Sequence, residues 1–210
     1  MSEKGSGRPL IVPVFIPNQG CPHRCIFCHQ ENITSQKAEP MDMGTLQAVL
    51  DGALRSPGFD PARNPQIAFY GGTFTRLPIA RIRQFLDTVG PYLAKGAFGS
   101  VRISTRPDAL DDERIKLLRG YGVTTVELGV QSMDDGVLTR TRRGHTAEDT
   151  IEAVALLRRH GMQVGIQLMP GLPGDSGAVF SKTVGQVIAL RPDMVRLYPT
   201  LVIEGTELAE

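Results

Sequence analysis

Six short apolar runs alternate with stretches of helical spacing along almost the whole chain, and that alternation restricts the fold more than any other feature. The runs fall at residues 10–16, 66–70, 100–104, 124–129, 163–169 and 194–197. Between them, apolar residues recur at helical spacing over 43–55, 78–93, 146–160 and 179–190, with shorter helical stretches at 111–120 and 134–139. Thr146 is a natural N-cap, and Asp149 stands three residues on, where a capping box needs an acceptor. Strands joined through helices form parallel sheets with crossover connections. Periodicity does not separate an open doubly wound sheet from a barrel. The residues just past the strands do: Cys21, Cys25 and Cys28, then Gly71-Gly72-Thr73, Ser104-Thr105-Arg106, Gln131, and the stretch 167–174. Polar and glycine residues at nearly every strand end are the habit of barrels, whose sites lie on that face, whereas an open sheet gathers its ligand at one switch point. The expected architecture is α/β, a partial (βα)6 barrel of parallel strands with outer helices.

A length of 210 residues fits one such domain. Residues 1–9 read as a flexible tail, 10–200 as the core, and 201–210 as the start of a C-terminal extension. Strand 6 at the end of a partial barrel leaves an apolar edge, which further sequence, a partner or the substrate is expected to cover. The net charge of +1 exerts no global pull toward nucleic acid or membrane. No window approaches the roughly 20 apolar residues of a membrane span, and the polar N-terminus is not a secretory signal. The expected setting is cytoplasmic and reducing, with no membrane partner. There, an odd number of cysteines points to metal or redox chemistry, not to a disulfide framework.

The three cysteines of the chain fall within eight positions, Cys21-x3-Cys25-x2-Cys28, in the loop after the first strand. Three thiolates on a four-iron cluster leave one iron open for a small molecule that chelates through amine and carboxylate. Zinc is a rival, with His23 or His29 near enough in sequence to be the fourth ligand. Cys25-Ile26-Phe27-Cys28-His29 also matches a haem-attachment pattern, although that attachment goes with exported chains. Buried, unreactive cysteines are the blandest reading, and their crowding into one loop speaks against it. Ligand softness favours the cluster while leaving zinc open.

The cysteine spacing, with Phe27 before the last cysteine, resembles the signature of radical S-adenosylmethionine (radical SAM) enzymes. Tyr70-Gly71-Gly72-Thr73-Phe74 resembles that family's glycine motif after strand 2. The segments Val126-Glu127-Leu128-Gly129-Val130-Gln131-Ser132, Arg143-Gly144-His145-Thr146 and Met169-Pro170-Gly171-Leu172-Pro173-Gly174 resemble one branch. That branch holds the radical SAM domain of the elongator catalytic subunit and, more distantly, oxygen-independent coproporphyrinogen oxidase. The resemblance covers roughly residues 10–205, without an acetyltransferase domain after the barrel.

The resemblance implies a [4Fe–4S] cluster on Cys21, Cys25 and Cys28, with S-adenosylmethionine on the open iron. Reductive cleavage then yields a 5′-deoxyadenosyl radical that takes hydrogen from a substrate. It also implies an electron donor of flavodoxin or ferredoxin type. Gly71, Gly72 and Thr73 would present backbone to the cofactor's amino group, since close approach tolerates no side chain; Thr73 replaces a frequent family glutamate. Arg143 would pair with its carboxylate by a two-point contact. Gln131, Gln167 and Ser104 would reach the ribose or its surroundings. No catalytic side chain is assigned. The substrate is a small molecule or a tRNA; the near-neutral charge and the missing acetyltransferase domain weaken the tRNA reading. A non-enzymatic iron–sulfur or zinc module would leave the strand-end Gly, Gln and Arg residues unexplained.

Other residues carry plainer expectations. Arg106 and Glu127 are placed to pair across neighbouring strand ends, because a buried charge needs a partner. His145 reads as exposed or capping, and Arg140 and Arg142 as solvated. The 171–174 loop lacks the lysine of a phosphate-binding loop and reads as a turn near the adenine. Tyr70 and Tyr198 line the cavity or simply pack.

Overall fold

The computed structural model describes residues 9–34 and 40–210. Apart from residue 9, the expected tail lies outside the described residues. The strands are β1 (Ile11–Phe15), β2 (Gln66–Tyr70), β3 (Ser100–Thr105), β4 (Val123–Gln131), β5 (Gln163–Leu168) and β6 (Met194–Leu197). The helices are α1 (Gln30–Thr34), α2 (Met43–Arg55), α3 (Ile79–Ala94), α4 (Asp112–Gly120), α5 (Asp135–Arg140), α6 (Ala147–Arg159) and α7 (Gly177–Leu190). All six strands are parallel and lie in chain order. Right-handed crossovers that always step to the next neighbour put every helix on the same face. The sheet is therefore wound one way into a half-barrel, with β1 and β6 as its two edges, and has no switch point of the doubly wound kind.

Alternation along the strands sorts the two faces. Ile67, Phe69, Val101, Ile103, Val126, Leu128, Val164, Ile166 and Leu168 are buried on the helix side. Phe69 of β2 packs at 4.9 Å from Phe74 and 5.4 Å from Phe85 of α3, while Leu46 and Leu50 bring α2 onto the same core. On the concave face the same strands present Gln66, Tyr70, Arg102, Glu127, Gln167 and Arg196, which bond to one another across the sheet. An apolar outer layer thus drives folding, and a polar inner layer is left for chemistry.

Helix starts follow side-chain chemistry: Asp42, Asp111, Asp134 and Ser176 cap α2, α4, α5 and α7. The expected capping box is present at α6, where Thr146 accepts from Asp149 N and the Asp149 carboxylate accepts from Thr146 N. The short helix α1 was not anticipated, and β4 runs two residues further than its apolar pattern, through Gln131. Both lie at the strand ends, where tertiary contacts outweigh periodicity. After β6 the chain turns back to the cysteine loop: Leu208 N donates to Ile26 O at 2.9 Å, and Arg142 pairs with Glu207 at 2.7 Å. Ile188, Val195 and Leu197, on α7 and the β6 edge, remain exposed. Among the described residues no helix is long and apolar enough to cross a membrane. Thr146→Ala removes the cap of α6 and is expected to cost about 1 kcal/mol of stability in a denaturant titration.

Candidate active site at the strand ends

The cysteine loop leaves β1 and is clamped between the segment after β2 and the turn between α5 and α6. On one side, Asn18 N donates to Gly71 O and Thr73 N to Gln19 O, each at 2.9 Å. The two backbones lie so close that a Cβ on Gly72 would stand 2.3 Å from Gln19 O, and one on Gly20 2.3 Å from Thr73 O. Gly20 also has φ +75°, which favours glycine independently of the crowding. On the other side, a Cβ on Gly144 would meet the His23 ring at 2.6 Å, and the His23 Nε2 lies 2.7 Å from Arg142 O. The glycine after β2 expected to make room for a ligand therefore makes room for the cysteine loop at Gly72. Gly71, at φ +93°, meets nothing nearer than 3.4 Å.

Cys25 is buried; Cys21 and Cys28 are half-buried, and all three are free thiols. The Cys21 Sγ lies 3.3 Å from the Thr73 hydroxyl, and the Cys28 Sγ 4.0 Å from Asn18 Oδ1. Burial pushes the Cys28 thiol up to about 11, and the neighbouring Cys25 and Cys21 add to that rise. Ionising Cys28 here is therefore opposed, and a strongly cationic group bound at the loop would favour its thiolate. Among the described residues, no three His, Cys, Asp or Glu side chains converge closely enough for a single ion. His23 is held by Arg142 O, and His29 Nδ1 accepts from Asn32 N at 3.4 Å. The thiols do not converge as a single-ion site requires, whereas a cluster several ångströms wide suits thiols set around a loop.

Beside Cys25, buried polar groups lack partners. The Gln131 backbone is left-handed (φ +70°) at a register shift between β4 and β5, and its buried Oε1 accepts no bond. Arg143 is buried; its Nη1 donates to Cys25 Sγ at 3.0 Å, its Nη2 to Gly129 O, and its Nε to nothing. A Cβ on Gly129 would stand 3.2 Å from both the Arg143 Nη2 and the Gln131 Nε2, so the two side chains converge there. An unpaired buried acceptor and donor are costly, and a polar ligand that spans them relieves both. The fork end of Arg143 is thus engaged by Cys25 and Gly129, and its Nε is open.

Deeper in the concave face the expected Arg106–Glu127 pair does not form. Glu127, 1% exposed, instead pairs with Arg102, 3% exposed, at 2.7 Å and with Arg196 at 3.2 Å. Its carboxylate also accepts from Tyr70 OH at 2.8 Å and Gln167 Nε2 at 2.9 Å. Arg106 lies beyond the end of β3, where Asp108 in the next turn takes its fork at 2.8 and 3.0 Å. The inward partner is Arg102, whose signal was a lone charge within the apolar third strand, opposite Thr125 and two residues before Ser104. Gln167, half-buried, donates its Nε2 to Glu127. Ser104 sits half-buried opposite Glu127 in the register. Arg196 lies 5.7 Å over the Tyr70 ring, with Tyr198 OH 3.4 Å from its Nη1, so both tyrosines border the concave face. Burial, then Glu127, raises the Tyr70 hydroxyl above its ordinary range and keeps it a donor.

His145 is buried, contrary to expectation. Its Nε2 lies 3.2 Å from Val130 O, and its Nδ1 has no partner. Desolvation first, then the Arg143 and Arg106 cations, lower it from 6.5 to about 4. Arg142 is exposed, as expected, and Arg140 packs its guanidinium against Gly174. An open cavity of about 750 Å³ lined by His23, Arg24, Arg142, His145 and Glu207 flanks the cysteine loop.

Gly72→Ala is expected to displace the cysteine loop, costing about 1–3 kcal/mol in thermal denaturation. Because His145 binds its proton less readily in the folded chain, its contribution is complete above pH 6.5. Stability should fall as pH drops from 6.5 toward 4, and denaturation curves of His145→Gln should flatten that slope.

These features have counterparts in known proteins. A tRNA uridine(34) acetyltransferase of Methanocaldococcus jannaschii is 32% identical over 239 residues, covering 95% of this chain and 44% of that protein. Elongator complex protein 3 of Danio rerio is 35% identical over 163 residues, covering 67% of this chain and 29% of that one. The solved structure of Methanocaldococcus infernus Elp3 lacking its N-terminus superposes with a TM-score of 0.70 at 28% identity, over 95% of this chain and 47% of that one. The chain thus spans less than half the length of these relatives. The sequence profile of the radical SAM superfamily matches residues 15–186, and with the half-barrel and its cysteine loop this places the chain in the radical SAM superfamily.

Proposed function

We propose that Cys21, Cys25 and Cys28 hold a [4Fe–4S] cluster whose open iron binds S-adenosylmethionine, making this a radical SAM enzyme. The observation that carries the reading is the pairing of a three-thiol loop with Arg143, bonded to Cys25 with its Nε unpartnered, and with the unpartnered Gln131 Oε1 next to it. When bound, the cluster and cofactor supply one-electron cleavage of a carbon–sulfur bond and, from it, hydrogen-atom abstraction from a substrate.

The chain's own residues position and enclose. Gly71, Gly72 and Thr73 seat the loop through backbone contacts and present strand-end backbone to the cofactor's amino group. Gln131 Oε1 and Arg143 Nε provide an acceptor and a charged donor to the cofactor, and Ser104 a hydroxyl. Gln167 acts through Glu127, holding the carboxylate that orients Tyr70 and Arg196 at the cavity rim. The buried Arg102–Glu127 pair closes the floor of the concave face, keeping water from beneath the reacting atoms.

Radical SAM enzymes need a reductant, and a flavodoxin or ferredoxin in the cytoplasm fits a cluster on an exposed loop. The substrate class we favour is a base in RNA. What supports it is the match over 95% of the chain to a relative named for tRNA uridine(34). The near-neutral charge of +1 places any phosphate contacts in a local patch.

The test is anaerobic reconstitution with iron and sulfide, then dithionite and S-adenosylmethionine, with 5′-deoxyadenosine as the readout. Wild-type chain is expected to form it, and Cys25→Ala to lose both the cluster absorbance and the product. A reconstituted four-iron protein that makes none overturns the reading. A tRNA gel shift that weakens with salt supports the RNA substrate; no shift at low salt favours a small molecule.

A further inference from the structure

Arg143 lies in the turn between α5 and α6, fixed by its own N–H on Leu138 O at 2.9 Å and by left-handed residues on both sides, Arg142 and Gly144. Its guanidinium is buried, yet none of the ion pairs among the described residues includes it. The nearby carboxylates are spent elsewhere, Glu127 on Arg102 and Arg196, and Asp108 on Arg106 and Arg76. A buried cation without a counter-charge is expensive enough that folding selects against it. The acceptor in place is the Cys25 sulfur, 3.0 Å from Nη1, with Gly129 O taking Nη2.

We propose that Arg143 is a positioning residue of the cysteine site: Cys25 as thiolate is its counter-ion, and its N–H···S bond raises the reduction potential of the cluster. The proposal rests on the cluster reading above. Adding an electron makes a cluster more negative, so a cation donating to a ligand sulfur stabilises the reduced form more than the oxidised one. Gly129 belongs to the device, because any side chain there presses on the Arg143 Nη2 and the Gln131 Nε2. The role differs from holding a cofactor carboxylate, which the open Nε can serve at the same time.

The experiment is a redox titration followed by electron paramagnetic resonance on reconstituted wild type, Arg143→Gln, Arg143→Lys and Gly129→Ala, all without S-adenosylmethionine so that no carboxylate contact contributes. Iron and sulfide content is measured first; a wild type that takes up no four-iron cluster overturns the proposed function, independently of any potential. Arg143→Gln is expected to lose at least tenfold in the reduction equilibrium, about 59 mV for one electron. Arg143→Lys, which keeps the charge but not the fork, and Gly129→Ala, which displaces the guanidinium, should shift less and in the same direction. Wild-type potentials in the variants that hold a cluster overturn the inference, even where affinity for S-adenosylmethionine falls. If Arg143→Gln takes up no cluster, the other two variants decide by the same criterion.

Discussion

Everything at the strand ends depends on how closely two stretches of backbone approach. The Gln19 carbonyl occupies the space that a side chain at residue 72 would need, and the Thr73 carbonyl does the same at residue 20. This reciprocal contact ties the loop after β1 to the loop after β2, and Gly144 repeats it from the far side through His23. A cysteine loop held through three glycines owes its position to the sheet and not to its own residues. That is the rigidity a metal site needs before the metal arrives.

The second organising principle is charge compensation on the concave face. Glu127 is fully bonded by two arginines, an amide and a phenol, which makes a buried carboxylate tolerable and locks the orientation of Tyr70 and Gln167. Arg143 stands apart because its counter-charge is a sulfur, not a carboxylate. The two arrangements divide the half-barrel: a closed polar floor that is satisfied by itself, and an upper rim where Gln131 Oε1 and Arg143 Nε still lack partners. An unpartnered acceptor on Gln131 and an unpartnered donor on Arg143, side by side at the rim, mark where a polar ligand fits.

Much of this was legible in the chain. The alternation of apolar runs and helical spacing located all six strands, because an outer face packed under helices leaves a continuous apolar signature. The Thr146–Asp149 capping box was readable for a similar reason, since its geometry is local. Pairing between strands was not. Arg106 and Glu127 looked like partners from their places near strand ends, but side-chain alternation turns Arg102 inward, while Arg106 is captured two residues on by Asp108. His145 looked exposed because nothing local says that the turn before α6 folds under the cysteine loop.

The sequence by itself determined the class of fold and the family, since strand periodicity, cysteine spacing and the strand-end motifs are properties of short segments. Only the tertiary structure decided what those segments face: that Gly72 makes room for the cysteine loop, that Glu127 belongs to Arg102, and that Arg143 reaches Cys25 across 118 residues. The physical reason is the same in each case. Burial obliges every charge and every close backbone contact to find a partner, and which partner is in reach is set by how the six strands curl, not by distance along the chain.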